Sequence, residues 1–322
     1  KLETIKSDYS DSYIQYDPIG IILGVMPWNF PYWQVFRFIA PSLMAGNTCV
    51  LKHASNVSGC ALLIEELVSD ISEYKSIFKT LLISSSQVEN VIKNPHIKAV
   101  TLTGSEYAGS EVAMRAGKEI KKTVLELGGS DCFIVLDDAD VDMAAKTAIL
   151  ARFLNSGQSC IAGKRFLVHE NVYDDFVNKV KNYMEKLKMG DPLLEETDIG
   201  PLAKIKFSEE LDTLVQRSIQ KGAKCLLGAK MNNAFYEPTL LIDVNEDMDV
   251  FTCETFGPIF CVSKISSTEE AIKIANNSEY GLGGSLWTKN IEKGKEIATQ
   301  IETGAVFIND MTKSDPRLPF GG

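Results

Sequence analysis

The chain has 322 residues, 45% hydrophobic and 24% charged, the balance of a globular protein with room for two domains. Its formal net charge of −10 argues against nucleic acid as a partner, because a phosphate-binding surface wants clustered Lys and Arg; a small anionic substrate stays open, since one buried Arg can hold a carboxylate. No apolar run approaches the roughly 18 to 20 residues a bilayer crossing needs, so no membrane partner is expected: Gly20 to Met26 is far too short, and Pro27 closes it.

Residues 11–26 carry β-branched and aromatic residues broken at Pro18-Ile19-Gly20, which predicts a strand, a turn and a buried strand from Ile21 to Met26. Residues 32–46 read as a helix and Asn47 to Lys52 as another buried strand. Apolar spacing predicts a helix from Ser58 to Ile71, with Ser58 as its cap. Short β-like runs follow at Thr80–Ser84 and Ala99–Thr103, and a helix is expected after Gly104. In the second half the strand candidates are Cys132–Leu136, Arg165–His169 and Phe260–Ile265. The helix candidates there are Val172–Leu187, Glu209–Lys221 and Thr268–Asn277. Alternation at these lengths indicates α/β architecture with parallel sheets and crossover helices. The boundary between two such regions is expected at Gly128-Gly129. The chain opens on Lys1, shows no signal-peptide pattern, and stops abruptly at Pro319-Phe320-Gly321-Gly322, which reads as the greater part of a longer protein.

Cysteines stand at 49, 60, 132, 160, 225, 253 and 261, with no CxxC pair. They read as reduced thiols in a cytoplasmic protein rather than a disulfide framework. No metal site is implied. One of the seven stands apart: Asn155-Ser156-Gly157-Gln158-Ser159-Cys160 is small and polar, an ordered loop that offers its terminal thiol to solvent and to backbone N–H groups, both of which favour thiolate chemistry. Leu125-Glu126-Leu127-Gly128-Gly129 sets one carboxylate among apolar residues, where desolvation would raise its pKa toward general-base range. Pro27-Trp28-Asn29-Phe30-Pro31 brackets an amide with prolines and aromatics, a stiff segment suited to a fixed hydrogen-bond donor. Taken singly, each has a bland reading: a loop thiol without function, a solvated Glu at a strand end, a rigid turn.

In this order the clusters resemble the aldehyde dehydrogenase superfamily. The resemblance covers the whole chain and rests on PWNFP (27–31), LKHAS (51–55), TGS (103–105), LELGGSD (125–131), NSGQSC (155–160), ETFGPI (254–259) and the terminal PFGG (319–322). It implies a Rossmann-type cofactor-binding domain over 1–126, incomplete at its N-terminus and with an oligomerisation hairpin over 4–18. A catalytic α/β domain over 127–311 and the start of a C-terminal segment at 312–322 would follow. It further implies that Cys160 attacks an aldehyde to form a thiohemiacetal, with Asn29 and the Cys160 N–H as the oxyanion hole. Glu126 would activate the water that hydrolyses the resulting thioester. Glu254 would hold the nicotinamide ribose with Phe256 near the ring, and Lys52 the adenosine ribose. Pro27 and Trp28 would line the cofactor, and Gly104-Ser105 would open a helix facing the pyrophosphate. Gly104 to Gly109 is not the GxGxxG fingerprint and carries weight only in this company.

The resemblance is nearest to bacterial and archaeal members that oxidise succinate semialdehyde. These place an Arg where Arg37 stands, eight residues beyond Asn29 and so expected on the same helical face, and a substrate-contacting Ser where Ser314 stands. Leu154 replaces a second Arg that some of them carry, a role Arg152, Lys313 or Arg317 would then fill. Phe38 replaces a Lys implicated in proton relay, leaving Glu126 to water or backbone. Ser84-Ser85-Ser86 stands where the family often shows Gly. Ser55 replaces the Glu that NAD-preferring members set against the ribose 2′-OH, so NADP should be accepted, with NAD weaker or equal. A small aldehyde substrate and a homo-oligomer, dimer or tetramer, are the implied partners. The alternatives are a CoA-acylating semialdehyde dehydrogenase, which would not need a base at Glu126, and a catalytically silent relative acting as a binding protein.

Overall fold

The computed structural model describes residues 3–322. The chain divides into two compact units, Lys1–Leu127 and Gly128–Gly322.

The first unit begins with β1 (Glu3–Thr4) and β2 (Tyr13–Ile14), a minimal antiparallel pair whose Ile5, Tyr9, Tyr13 and Ile14 are exposed. Its body follows in the order β3 (Ile21–Met26), α1 (Trp33–Met44), β4 (Thr48–His53), α2 (Ser58–Ile71), β5 (Phe78–Thr80), α3 (Val88–Lys93), β6 (Ile97–Thr103), α4 (Glu106–Lys118) and β7 (Lys122–Glu126). The sheet runs β5-β4-β3-β6-β7, all parallel. Val35, Phe38 and Ile39 of α1 and Ala61, Ile64 and Val68 of α2 bury one face of it. Val88 and Ile92 of α3 and Val112 and Ala116 of α4 bury the other. The strand order reverses between β3 and β6. In an open parallel sheet, ligands bind outside the carboxyl ends of the strands at such a reversal.

The second unit contains β8 (Asp131–Val135), α5 (Val141–Phe153), β9 (Gly163–His169), α6 (Glu170–Met184), α7 (Ile205–Gln220) and β10 (Lys224–Leu227). The small pair β11 (Met231–Asn232) and β12 (Phe235–Tyr236) follows, then β13 (Thr239–Ile242), α8 (Asp249–Thr252), β14 (Ile259–Ile265), α9 (Thr268–Asn276), β15 (Gly284–Trp287), α10 (Ile291–Ala298) and β16 (Val306–Ile308). Its sheet runs β10-β13-β14-β9-β8-β15-β16, parallel except for the β10–β13 pair. Alternation along β8 sends Cys132 and Ile134 into one core layer and Phe133 and Val135 into the other. A strand buried on both faces has no polar side to show, which is why its sequence reads as one apolar run.

Several local expectations are corrected. Ser58 does not cap α2: it is the first helical residue, and its hydroxyl donates to the Ser55 carbonyl at 3.0 Å instead of accepting from the helix. The strand expected at 80–84 lies earlier, at Phe78–Thr80, where it pairs with Cys49–Leu51 of β4. Ser84 instead caps a 3-10 turn, Ser85–Gln87, through a capping box with Gln87, which accounts for the serine run. Asn29 lies outside α1, so helical spacing does not set its relation to Arg37.

Candidate active site

In the second unit, three segments meet at the amino ends of adjacent strands: the chain before β8 with Gly129, the chain before β9 with Cys160, and the chain before β14 with Glu254. The loop before β9 is held in an unusual shape. Asn155, Ser156 and Gly157 all have positive φ (54°, 55° and 75°), a region non-glycine residues seldom occupy. Gly157 is required twice over, because a Cβ there would also lie 2.3 Å from the Gly257 carbonyl oxygen. The loop's polar side chains are inward fasteners. Ser156 Oγ accepts from the Gly200 N–H at 3.0 Å, and Gln158 Oε1 accepts from the Ala203 N–H at 2.9 Å. Beneath them Arg152 is fully buried and donates to the carbonyls of Gly157, Gly163, Thr255 and Gly257 at 2.6–3.1 Å. Those bonds commit its guanidinium to the backbone, so Arg152 is not a second substrate cation. Lys313 and Arg317 pair locally with Asp310 and Asp315 on an exposed segment.

Cys160 closes this loop. Burial pushes its thiol up to about 11, opposed chiefly by the Lys164 ammonium, with the Ile161 N–H reaching the sulfur. The expectation that this loop favours thiolate at rest is therefore reversed: desolvation penalises the charged form more than the cation and N–H groups favour it. Lys164, with no exposed side-chain surface, donates to the carbonyls of Ser159 (2.9 Å) and Cys160 (2.8 Å) and pairs with Glu254 Oε1 at 3.1 Å. The same Glu254 oxygen accepts from the Gly129 N–H at 3.1 Å, and the Phe256 ring lies 6.0 Å from the ammonium. Gly129 has no room for a side chain, since a Cβ would lie 2.4 Å from the Cys160 carbonyl oxygen. Behind the cluster Asp131 is buried and pushed up to about 6 by desolvation, against the pull of Lys164 and of hydrogen bonds from Thr312 and the Gly283 N–H. Thr312 thus anchors the chain two residues before Ser314, which is half-buried.

In the first unit, the candidate site residues lie at or just beyond the carboxyl end of a strand, apart from Arg37 on α1. Pro27, Trp28 and Asn29 follow β3; Lys52 and Ser55 lie at the end of β4; Gly104 and Ser105 follow β6; Glu126 ends β7. His53, buried at the end of β4, accepts from the Ala54 N–H through Nδ1 (3.0 Å) and donates Nε2–H to the Pro31 carbonyl (3.0 Å), stapling the far end of the Asn29 segment to the sheet. Burial lowers the Lys52 ammonium, and Ser55 beyond it is exposed. Ser105 caps α4, its oxygen accepting from the Ala108 N–H at 3.3 Å. The Gly104 N–H donates to the Glu126 carbonyl oxygen at 2.9 Å. Burial raises the Glu126 carboxyl, Arg37 partly offsets this, and Glu126 Oε2 is buried without a hydrogen-bond donor among the described residues. A carboxyl so placed holds its proton to higher pH than an exposed one.

Across residues 1–322 the chain matches the family model described as the aldehyde dehydrogenase family. The chain belongs to the aldehyde dehydrogenase family. It is 50% identical over 99% of its length to a probable succinate-semialdehyde dehydrogenase [NADP(+)] of Synechocystis sp., of which it spans 71%. It is 48% identical over 97% of its length to the succinate-semialdehyde dehydrogenase [NADP(+)] of Mycobacterium avium, of which it spans 66%. Among solved structures it resembles the succinic semialdehyde dehydrogenase of Streptococcus pyogenes in complex with NADP+. That match has a TM-score of 0.97 and 39% identity, and covers 99% of this chain and 71% of the other. Its aldehyde dehydrogenase fold is thus established. Phe38 packs beneath β3, where a Cβ on Gly24 would lie 2.4 Å from its ring, so the position of the expected Lys is filled by core. The structural roles of Lys164, Arg152 and His53 escaped the sequence reading because their partners are main-chain carbonyls, N–H groups and one carboxylate distant in sequence, which leave no spacing pattern.

Proposed function

We propose that this aldehyde dehydrogenase oxidises succinate semialdehyde to succinate with NADP+, and less readily with NAD+. The observation that carries the reading is the nucleophile loop: a thiol at the end of a loop held by left-handed backbone, with a buried ammonium and a carboxylate converging on it. The substrate and cofactor are taken from the relatives' names, supported by Arg37 and Ser55.

In this reading the first unit is the cofactor-binding domain and the second the catalytic domain. Cys160 attacks the aldehyde carbon; Asn29 and the Cys160 N–H hold the oxyanion. Burial raises the Cys160 thiol, so its proton leaves to solvent as the carbon–sulfur bond forms. Glu126 later removes a proton from the water that cleaves the thioester, a role that disfavours transfer to CoA. The residues present fit a dinucleotide. The capped N-terminus of α4 at Gly104-Ser105 suits its diphosphate, Lys52 and Ser55 suit a 2′-phosphate, and Glu254 suits ribose hydroxyls, with Phe256, Pro27 and Trp28 supplying apolar surface. When bound, the cofactor supplies the hydride acceptor. Arg37 pairs with the distal carboxylate of the substrate, and Ser314 adds a hydrogen bond.

The reading further includes a homo-oligomer in a reducing cytoplasm. The aromatic surface of the β1–β2 pair and the seven free cysteines support this, and no helix among the described residues is long and apolar enough to cross a membrane. Cys160→Ala is the direct test: aldehyde oxidation and hydrolysis of activated esters should both vanish while NADP+ still binds. Retained oxidation would sink the proposal.

A further inference from the structure

We propose that Lys164 is the positioning residue of the nucleophile: its ammonium fixes two consecutive peptide groups so that the N–H groups of Cys160 and Ile161 are aimed for catalysis, and sets a buried positive charge beside Cys160. The inference rests on Cys160 being the nucleophile, as proposed above.

The geometry begins with peptide planarity. In a trans peptide the C=O of one residue and the N–H of the next point in opposite directions. Lys164 Nζ donates to the Ser159 carbonyl at 2.9 Å, so the Cys160 N–H points away from the ammonium. It donates to the Cys160 carbonyl at 2.8 Å, which sets the Ile161 N–H, the group that reaches the Cys160 sulfur. The Ser159 carbonyl also accepts from the Ala162 N–H at 3.2 Å. The Cys160 carbonyl is confined in turn by Gly129, where a Cβ would lie 2.4 Å away. The ion pair to Glu254 at 3.1 Å holds the ammonium on its remaining side. A lysine donor set divided between two successive carbonyls and one carboxylate leaves the charge little freedom. Every atom of it is buried beside a thiol that the same charge favours in its ionised form. A residue needed only to fill space would be as well served by Met.

The test compares wild type with Lys164→Met and Lys164→Gln in the full-length protein. Iodoacetamide alkylation of Cys160 at fixed pH 9 is followed by mass spectrometry, with exposed Cys225 and Cys253 as controls in the same molecule. Loss of the cation should slow alkylation of Cys160 about 10-fold or more and leave the controls unchanged. A loop that had merely loosened would expose the thiol and speed its alkylation. The single-turnover burst of NADPH should also fall, on the order of 10²-fold. Unchanged or faster alkylation of Cys160, or a burst within about twofold of wild type, overturns the inference. Gln keeps an amide NH2 donor but no charge, so it should lose the alkylation rate as Met does; should the Met variant fail to fold, the Gln variant decides. If wild type oxidises no aldehyde, the functional proposal fails while alkylation still judges Lys164.

Discussion

Gly129→Ala adds one methyl group at the point where the chain before β8 passes Cys160. The new Cβ would lie 2.4 Å from the Cys160 carbonyl oxygen and 3.3 Å from Asp131 Oδ1. A carbon–oxygen contact normally closes to about 3.3 Å, so about 0.9 Å of relief is needed. The oxygen cannot simply turn aside, because the Lys164 ammonium holds it at 2.8 Å. Either the 159–161 backbone moves or Gly129 backs away from Glu254, breaking the 3.1 Å bond to its carboxylate. Overpacking of this kind costs about 1–3 kcal/mol. At about 2–4 °C per kcal/mol for a unit of this size, the melting temperature should fall by about 2–12 °C. A displacement near 1 Å at a reacting atom can cost about 10²-fold in rate. Stopped-flow measurement of the NADPH burst should therefore show acylation slowed about 10²-fold in a protein that is still folded by circular dichroism. A Gly129→Ala enzyme with the wild-type burst and melting temperature would show that this contact is relieved without moving Cys160, and the reasoning would be wrong.

Glu126→Gln should release about one equivalent of NADPH and then turn over at least about 10²-fold more slowly; undiminished steady-state turnover rules out the base. Burial raises the Glu126 carboxyl, and a general base must be ionised to act. Activity should accordingly fall as pH drops through a value above the usual Glu pKa of about 4.3, and an acid limb at or below that value would contradict the burial argument. Arg37→Ala should raise KM for succinate semialdehyde about 30-fold or more, corresponding to about 2–5 kcal/mol for a lost charge-assisted pair, with little change for butanal. Because Arg37 also restrains the rise of Glu126, the same variant should move the acid limb upward; equal effects on both aldehydes would make Arg37 merely structural. Ser55→Glu should lower kcat/KM for NADP+ by about 2–4 kcal/mol and leave NAD+ nearly untouched, and an equal loss with both cofactors would refute the ribose assignment.

Much of the molecule was legible from local pattern. Ile21–Met26 and Cys132–Leu136 announce themselves as apolar runs because strands covered on both faces have no polar side to show. The helix of 58–71 shows its apolar spacing because only one stripe of it meets the sheet. Elements with weaker patterns escaped: the edge strand Lys122–Glu126, which exposes its first three residues, and α5, whose alanine-rich burial blurs any stripe. Cys160, Glu126 and Asn29 could be singled out from residue types in short motifs, since rigid or polar surroundings are written locally. Their charge environment was legible only in part: the apolar neighbours of Glu126 pointed to its raised carboxyl, whereas the polar neighbours of Cys160 pointed the wrong way. Desolvation depends on everything packed around a group, and it set the Cys160 thiol against the thiolate that its polar loop suggested. The same holds for Lys164 and Arg152: nothing in their sequence neighbourhood names their partners, and only the tertiary structure, by burying both completely, turned their charges inward onto main-chain carbonyls.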